Sequence, residues 1–478
     1  MPTSRREVFL GGAALALAGA LPTRVLAGAR PSRRPPPAQR KVSSPAVERL
    51  LAQVKAKVAD PELAWLFENC FPNTLDTTVE LGRLDGKADS FVITGDIECL
   101  WLRDSSAQVW PYLPLAKDDA ILRQVFQGLI HRQARCILID PYANAFQPDP
   151  KGTTPTKWAA GDLTEMKPGV AERKWEVDSL CYPIRLAHGY WRATLDLAPF
   201  DEEWRAAMRL VVATFRAQQR KDGPGPYRFQ RKSEVPTESL TLDGYGAPTR
   251  KVGLIHGMFR PSDDACLYPF NIPGNLFAVT ALRQLAPLWR AVGGEEDVAR
   301  DALALADEVE GALRTHGRMT HADGDETWAY EVDGYGNRLF MDDANVPSLL
   351  GLPYLGACAA DDPLYRRTRA RVWSDANPYF FQGAAGQGIG GPHEGLRMIW
   401  PMSIIVRALT SDDDAEIRQC LSWLKTTHAG TGFMHEAFDQ DDPAHFTRPW
   451  FAWANTLFGE LIIDLLARKP ALLRSPLP

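Results

Sequence analysis

The chain has 478 residues, of which 45% are hydrophobic, 24% are charged and 10% are aromatic. This length and composition allow one large core or two to three ordinary domains, and they exclude a fibrous or wholly disordered protein. The net charge of −5 and the pI near 6.0 argue against a nucleic-acid partner, which would require a basic face.

The first 27 residues have the three regions of an export signal. Arg5-Arg6 precedes Phe9-Leu10 and a weakly hydrophobic run of Ala, Gly and Leu, which ends in small residues around Ala27. The order Ser-Arg-Arg-x-x-Phe-Leu resembles a twin-arginine signal, so we predict a periplasmic or secreted mature protein with no membrane segment, exported by the Tat machinery. An uncleaved anchor is the alternative, because the same run could form a short span.

Residues 28–43 are rich in Pro and Arg and predict a disordered spacer. Beyond them the dominant pattern is helical, with apolar residues at three- and four-residue spacing and starts at Asp, Ser or Pro. Short strand-like pieces such as "DSFVITG" do not alternate regularly with helices, so we expect no parallel βαβ sheet. The clearest helical segments are "SPAVERLLAQVKAKV", "DDAILRQVFQGLIHRQARCIL", "VDSLCYPIRLAHGYWRATLDL", "DEEWRAAMRLVVATFRAQQRK", "NLFAVTALRQLAPLWRAV", "EEDVARDALALADEVEGALRTHG", "DPLYRRTRARVWSD", "DAEIRQCLSWLKTT" and "PWFAWANTLFGELIIDLLARK".

The connectors between these helices are rich in Gly, Pro, Asp, Trp and Arg, and they recur through the whole chain. A ring of helix pairs, with the loops of one end converging on a central cleft, accounts for this pattern. We therefore expect an all-α fold in which residues 44–478 form one catalytic domain without an internal linker.

The cysteines are odd in number, scattered, and without a Cys-x-x-Cys pair, so they predict neither a disulfide framework nor a zinc site. A single disulfide stays open as an alternative in an oxidising compartment. The seven residues are Cys70, Cys99, Cys136, Cys181, Cys266, Cys358 and Cys420.

The usual motifs of metal, nucleotide and serine-hydrolase chemistry are missing. Neither His435-Glu436 nor His393-Glu394 is followed by the second histidine of a zincin helix. There is no P-loop, no Gly-x-Gly-x-x-Gly before a helix and no Gly-x-Ser-x-Gly elbow. What remains is carboxylates among aromatic and amide side chains, which is what glycoside hydrolysis requires.

Most carboxylates in the connectors also have a structural interpretation. Arg103-Asp104 fits a local ion pair or cap, and Asp342-Asp343 fits a turn. Ser262-Asp263-Asp264 is expected to open a helix, with Ser262 or one Asp as its cap. Glu436 differs, because it follows a Gly-Thr-Gly turn in apolar company, an environment that raises a carboxyl pKa.

Six long segments together resemble glycoside hydrolase family 125, the exo-acting α-1,6-mannosidases. They run in the family's order over residues 65–465, and their length makes the resemblance far more specific than any short motif. The segments are "TGDIECLWLRDSSAQVWPY", "EVDSLCYPIRLAHGYW", "FRPSDDACLYPFNIPGNLF", "GIGGPHEG", "GTGFMHEAFD" and "FTRPWFAWANTLFGE".

The resemblance implies an (α/α)6 barrel, a helical toroid with short β pieces in its loops. It implies an inverting enzyme that releases terminal α-1,6-linked mannose from mannosides or N-glycan-type oligosaccharides, without a metal or another cofactor. The general acid would be Asp263, with Asp264 as the alternative, and the general base would be Glu436. A water between the two carboxyl groups requires a separation of about 6.5–9.5 Å.

Further side chains are expected to bind the sugar. Polar side chains would bind its hydroxyl groups: Arg103, Asp104, Asp178, Gln387, His393 and Asn455. Trp101 and Trp453 are candidates to stack on the ring, with an ordinary place in the core as the alternative.

Two other functions stay open on the residues alone. One is a different helical-toroid carbohydrate enzyme, such as another exo-glycosidase, an epimerase or a lyase; the pI of 6.0 gives no support to the basic subsites that a uronate lyase would need. The other is a periplasmic sugar-binding protein without catalytic activity.

Overall fold

The computed structural model of the chain describes residues 30–477, and the predicted signal peptide over residues 1–27 lies outside that range. The described chain is mostly helical, as the sequence pattern predicts. The α-helices are α1 Pro45–Lys57, α2 Pro61–Cys70, α3 Asn73–Thr77, α4 Leu102–Val109, α5 Ala120–Ile139, α6 Val177–Thr194, α7 Glu202–Gln218, α8 Ile272–Ala291, α9 Glu296–His316, α10 Pro363–Val372, α11 Pro401–Leu409, α12 Asp414–Thr426 and α13 Ala452–Arg468. Short 3-10 helices are formed by Pro37–Gln39, Trp110–Asp118, Pro236–Glu238, Leu242–Gly244 and Pro470–Leu473.

Polar side chains set the starts of several helices. The hydroxyl of Ser44 accepts from the amide of Val47 at 3.2 Å and so caps α1. The same hydroxyl donates to Asp119 at 2.7 Å, and Asp119 caps α5 by accepting from the amides of Ile121 and Leu122. These bonds satisfy amide groups that the helices cannot use themselves, and they tie the first turns of α1 and α5 together.

Adjacent helices pack in pairs, among them α5 with α7, α6 with α8, α8 with α9, and α11 with α12. Their apolar faces meet in one core that runs through most of the helices. Helix α8 illustrates this, because Phe277, Leu282 and Trp289 are fully buried. Burying each such side chain contributes about 1.5–3 kcal/mol to folding.

Part of one connector is itself helical, which the sequence pattern did not predict. Helix α4 lies within "TGDIECLWLRDSSAQVWPY", and each of its residues is buried. The helix is only eight residues long and five of them are polar, so its sequence has too few apolar positions for the three- and four-residue spacing to repeat.

Short strands lie in the connectors and form small antiparallel sheets of two or three strands. Three of them position the site described below: β3 contains Trp101, β8 leads into α8, and β16 follows Glu436. The strands are β1 Val79–Leu84, β2 Lys87–Val92, β3 Leu100–Trp101, β4 Ala145–Phe146, β5 Asp162–Leu163, β6 Val170–Glu172, β7 Gln230–Arg231, β8 Phe270–Asn271, β9 Arg318–Thr320, β10 Glu326–Trp328, β11 Glu331–Val332, β12 Arg338–Leu339, β13 Phe380–Gln382, β14 Gln387–Ile389, β15 Met398–Ile399, β16 Ala437–Asp439 and β17 Phe446–Thr447.

The prediction of a disordered spacer over residues 28–43 does not hold from Ser32 onward, where the chain belongs to one compact unit. Arg34 donates to Asp76 at 2.7 Å and to Glu48 at 2.6 Å, and its side chain is 6% exposed. Val42 is buried in the core. The paired arginine and the buried valine supply contacts that a count of Pro and Arg does not reveal.

All seven cysteines fall within residues 30–477, and none of them forms a disulfide. The alternative of a single bridge is therefore not realised. In the same range, no helix combines the length and the apolar character needed to cross a membrane.

Candidate active site

A cavity opens where several connectors converge. It has an aromatic wall and a set of ionisable side chains, and these come from widely separated parts of the chain. The aromatic residues are Trp101, Trp400, Phe451 and Trp453; the ionisable ones are Arg103, Asp104, Asp263, His393, Glu436 and Arg448; the others are Thr94, Ile97, Pro261, Ser262 and Asn345.

Most of the predicted site residues meet at this cavity. Those that line it are Trp101, Arg103, Asp104, Asp263, His393, Glu436 and Trp453. Four others do not line it, namely Asp178, Asp264, Gln387 and Asn455.

The loop that carries Asp263 is not the start of a helix, so that prediction is wrong. The amide of Asp263 donates to the carbonyl of Arg260 at 2.9 Å, and the amide of Arg260 donates to the carbonyl of Asp264 at 2.7 Å. These bonds close a tight loop in which Asp263 takes a left-handed conformation, with φ at 66°. Helix α8 begins only at Ile272 and is capped by Asn271. Asp263 therefore does not lie in the first turn of a helix, and it experiences no helix dipole from such a position.

The tight loop directs the two aspartates differently. Asp263 has a side chain that is 22% exposed and lines the cavity. Asp264 is 1% exposed, does not line the cavity, and accepts from the hydroxyl of Ser262 at 3.2 Å. Of the two neighbours, Asp263 is the one that a ligand in the cavity can reach.

Several polar groups hold Asp263. Its Oδ1 accepts from Asn144 at 3.1 Å and from Nη2 of Arg103 at 3.4 Å. Burial raises the pKa of the Asp263 carboxyl, but a hydrogen bond with Glu176 and the charges of Arg103 and Lys174 outweigh burial and lower the pKa below its ordinary value. Burial raises the pKa of the Glu176 carboxyl well above its ordinary value, against the opposing charge of Arg103. The two carboxyl groups therefore titrate as a pair.

Glu436 occupies the loop before β16. Its Oε1 accepts from Nη1 of Arg448 at 3.1 Å. Burial raises the pKa of Glu436 to about 7. The positive charge of Arg448 opposes this increase, and the neighbouring Glu394 adds to it. The carboxyl is thus poised to exchange a proton near neutral pH.

His393 links the two carboxyl sites electrostatically. Burial lowers its pKa, but the charges of Asp264, Asp263 and Glu436 outweigh burial and raise the pKa above its ordinary value. The imidazole therefore favours a positive charge at the cavity wall.

Two predicted sugar ligands have other partners. Asp178 accepts from Nη1 of Arg103 at 3.3 Å and is 2% exposed, so it supports that arginine from behind. Asn455 accepts from the amide of Met434 at 2.8 Å and donates to Asn73 at 3.0 Å. These bonds anchor the loop that carries Glu436.

Gln387 lies in β14, opposite Gln382 of β13. Trp101 and Trp453 line the cavity but are 6% and 1% exposed, so each also belongs to the packed interior. A stacking surface and a core position are thus compatible at both tryptophans.

Sequence reasoning missed several residues of the site. Arg448 and Glu176 both fall inside segments that resemble the family, and their position beside Glu436 and Asp263 could not be read from the order of residues. Asn144 and Trp400 lie outside the quoted matches and have no local signal.

The arrangement defines a class of protein. A pair of carboxyl groups at an aromatic-lined cavity, in a mostly helical fold, is what acid–base cleavage of a glycosidic bond requires. The site is that of a glycoside hydrolase.

The model of the metal-independent α-mannosidases, glycoside hydrolase family 125, matches residues 60–463. The chain belongs to this family.

Similar proteins agree with this assignment. A metal-independent α-mannosidase of Streptococcus pneumoniae, solved in a non-productive complex with α-1,6-mannobiose, is 41% identical with a TM-score of 0.85, over 90% of this chain and 100% of that one. The meiotically up-regulated gene 157 protein of Schizosaccharomyces pombe is 45% identical over 460 residues, 93% of this chain and 90% of that protein. A family 78 rhamnosidase of Bacillus sp. GL1 is 13% identical with a TM-score of 0.53, over 86% of this chain and 35% of that one, and shares the fold alone.

Proposed function

We propose that this α-mannosidase is an exo-acting enzyme that removes terminal α-1,6-linked mannose from N-glycan-type oligosaccharides. The observation that carries the linkage is the match, over 90% of the chain, to the α-mannosidase that binds α-1,6-mannobiose. That structure is described in connection with the processing of N-linked glycans.

The reaction is a single displacement with inversion. Asp263 donates a proton to the glycosidic oxygen as its bond to the anomeric carbon breaks. Glu436 takes a proton from a water whose oxygen bonds to that carbon from the opposite face. The first product is then β-mannose, and this reaction requires a separation of about 6.5–9.5 Å between the two carboxyl groups to admit the water.

The other side chains of the cavity bind and orient the terminal mannose. Arg103, Asp104 and His393 offer donors and acceptors for its hydroxyl groups. This role is supported by their position, because all three line the cavity. Trp101 and Trp453 supply apolar faces for the ring. Asp178 and Asn455 position Arg103 and the Glu436 loop without contacting the sugar.

Two further parts of the proposal concern the whole molecule. The helix pairs close into an (α/α)6 barrel with the cavity at one end; the packing of α5 with α7, α6 with α8, α8 with α9 and α11 with α12 supports this. The protein acts in the periplasm or outside the cell. The resemblance of its first residues to a twin-arginine signal supports this location.

Proton NMR of α-1,6-mannobiose with the purified protein in EDTA tests the reaction. Early β-mannose is the expected result and establishes linkage, inversion and metal independence together. Early α-mannose would overturn inversion but leave the substrate. An absence of cleavage, with α-1,2- and α-1,3-mannobiose also intact, would overturn the substrate and favour a sugar-binding protein or another toroid enzyme.

A further inference from the structure

The guanidinium of Arg103 hydrogen-bonds three carboxyl groups at the cavity, and a fourth, that of Asp104, lies 3.6 Å from its Nε. Arg103 donates from Nη1 to Glu176 at 2.5 Å and to Asp178 at 3.3 Å, and from Nη2 to Asp263 at 3.4 Å. Three ionised carboxylates against one positive charge repel one another. Such a cluster retains a proton to higher pH than an isolated carboxyl group does.

Glu176 has one oxygen that is fully engaged and one that is not. Its Oε2 accepts from Arg103 and from the hydroxyl of Ser179 at 2.8 Å. Its Oε1 is buried and has no hydrogen-bond donor among the described residues. A buried carboxylate oxygen without a donor is unfavourable, and a proton on that oxygen removes the difficulty if an acceptor is close.

The acceptor is Asp263. The carboxyl groups of Glu176 and Asp263 accept from Nη1 and Nη2 of the same guanidinium, that of Arg103, which holds them side by side, and a side-chain hydrogen bond links the two. Asp263 also faces the cavity, whereas Glu176 is 0% exposed and does not. A proton between them is therefore available on one side to a ligand and shielded on the other from solvent.

We propose that Glu176 is a positioning residue that shares one proton with Asp263 and thereby keeps Asp263 able to act as the acid. This inference rests on the role proposed for Asp263. As the glycosidic oxygen approaches, the proton resides on Asp263, while the negative charge of Glu176 is held by Arg103 and Ser179. The proton then moves to the glycosidic oxygen as the bond to the anomeric carbon breaks, and the pair takes a new proton from solvent before the next cycle.

The sharing explains how an aspartate beside an arginine can be an acid near neutral pH. Loss of the shared proton leaves two adjacent carboxylates, so the second ionisation of the pair is displaced upward. The other titratable or charged groups that face the pair are Arg103, Asp104, Lys174, Asp178, Cys266 and His393. Lys174 is engaged by the main-chain carbonyl of Asp263 at 2.8 Å and by Glu238 at 3.1 Å.

Glu176→Gln tests the proposal through the pH dependence of kcat/KM. The amide donates to Asp263 and stabilises its ionised form, so the alkaline limb with α-1,6-mannobiose should move down by about one pH unit or more, with about a tenfold loss at neutral pH. Cleavage of 2,4-dinitrophenyl α-mannoside, whose leaving group needs no acid, should change little. Glu460→Gln is the control, because Glu460 also has a raised pKa of about 6 from burial but bonds Tyr354 away from the cavity.

Ser179→Ala provides an independent test that substitutes no carboxyl group. Removing the hydroxyl withdraws a donor from the ionised form of Glu176. The shared proton is then bound more tightly, and the alkaline limb should move up, opposite to Glu176→Gln. If Glu176→Gln does not fold, the direction found for Ser179→Ala decides.

Some results would overturn the shared proton. One such result is an alkaline limb at the wild-type position in both variants, together with equal losses of kcat/KM on the two substrates. Glu176 would then only hold Arg103 in place. Asp263→Asn distinguishes a failure of the shared proton from a failure of the proposed function. If Asp263→Asn cleaves mannobiose like the wild type, the role of Asp263 fails; if it loses only mannobiose cleavage, that role stands and the shared proton alone is overturned.

Discussion

Arg448 donates from Nη1 to Oε1 of Glu436 at 3.1 Å, while its Nη2 donates to the carbonyl of Thr94 at 2.7 Å. The arginine thus joins the loop before β16 to the segment before β3 across most of the chain. It also opposes the burial that raises the pKa of Glu436 to about 7. The ionisation of Glu436 is set by burial first, and this contact is the main effect that opposes it.

Arg448→Met should therefore raise the pKa of Glu436 further. A general base acts when ionised, so the acidic limb of the kcat/KM profile should move to higher pH, by about one unit. The measurement is the pH profile on α-1,6-mannobiose. Arg397→Met is the control, because Arg397 pairs with Asp439 of β16 at 3.1 Å but is 53% exposed. An acidic limb at the wild-type position would show that Arg448 does not tune the base.

Glu436→Gln should abolish most turnover and leave binding. The amide cannot take a proton from water, so kcat should fall by about 10²–10⁴-fold. Binding of α-1,6-mannobiose, measured by titration calorimetry, should change little because the shape of the side chain is kept. Wild-type turnover in this variant would contradict the role of Glu436 as the base, and Glu460→Gln, outside the cavity, serves as the matched substitution.

Asp263→Asn and Asp264→Asn should separate the two adjacent aspartates. Without a proton donor, Asp263→Asn should lose mannobiose cleavage by about 10²–10⁴-fold but retain cleavage of 2,4-dinitrophenyl α-mannoside. Asp264→Asn removes a buried charge beside Ser262 but no group that faces the cavity, so its losses should be similar on both substrates. The ratio of the two kcat/KM values is the measurement. A leaving-group dependence in Asp264→Asn alone would assign the acid to Asp264.

Asn455→Ala should lower the stability of the protein without removing a group that takes part in the reaction. It leaves the amide of Met434 and the side chain of Asn73 without their partner, at a cost of about 1–3 kcal/mol in the free energy of unfolding. Denaturant unfolding measures this loss. Gln387→Ala is the comparison, since Gln387 is partly exposed in β14 and should change stability by less than about 0.5 kcal/mol. Equal stabilities for the two variants would contradict the anchoring role of Asn455.

Local features of this protein were predictable because they depend on near neighbours in the chain. Apolar spacing and capping side chains such as Ser44 and Asp119 act within a few residues, so the long amphipathic helices were recognised. Long matching segments likewise indicated the family that the comparison then established. Helix α4 was not recognised, because eight residues, five of them polar, are too few to show a repeating apolar pattern.

The order of residues could not separate Asp263 from Asp264, or predict the partners of Glu436. The tight loop with φ at 66° exposes Asp263 to the cavity and buries Asp264, although the two are adjacent and chemically identical. The ordered segment from Ser32 depends in the same way on Arg34 reaching Asp76.

By itself, the sequence determined the family, the helical class and a short set of acidic candidates, because composition, periodicity and long motifs are properties of the linear chain. Only the tertiary structure decided which carboxyl groups share a guanidinium, which face the cavity and in which direction each pKa moves. Burial and charge act through space, and Arg103 with Glu176, or Arg448 with Glu436, are effective only where folding brings them together.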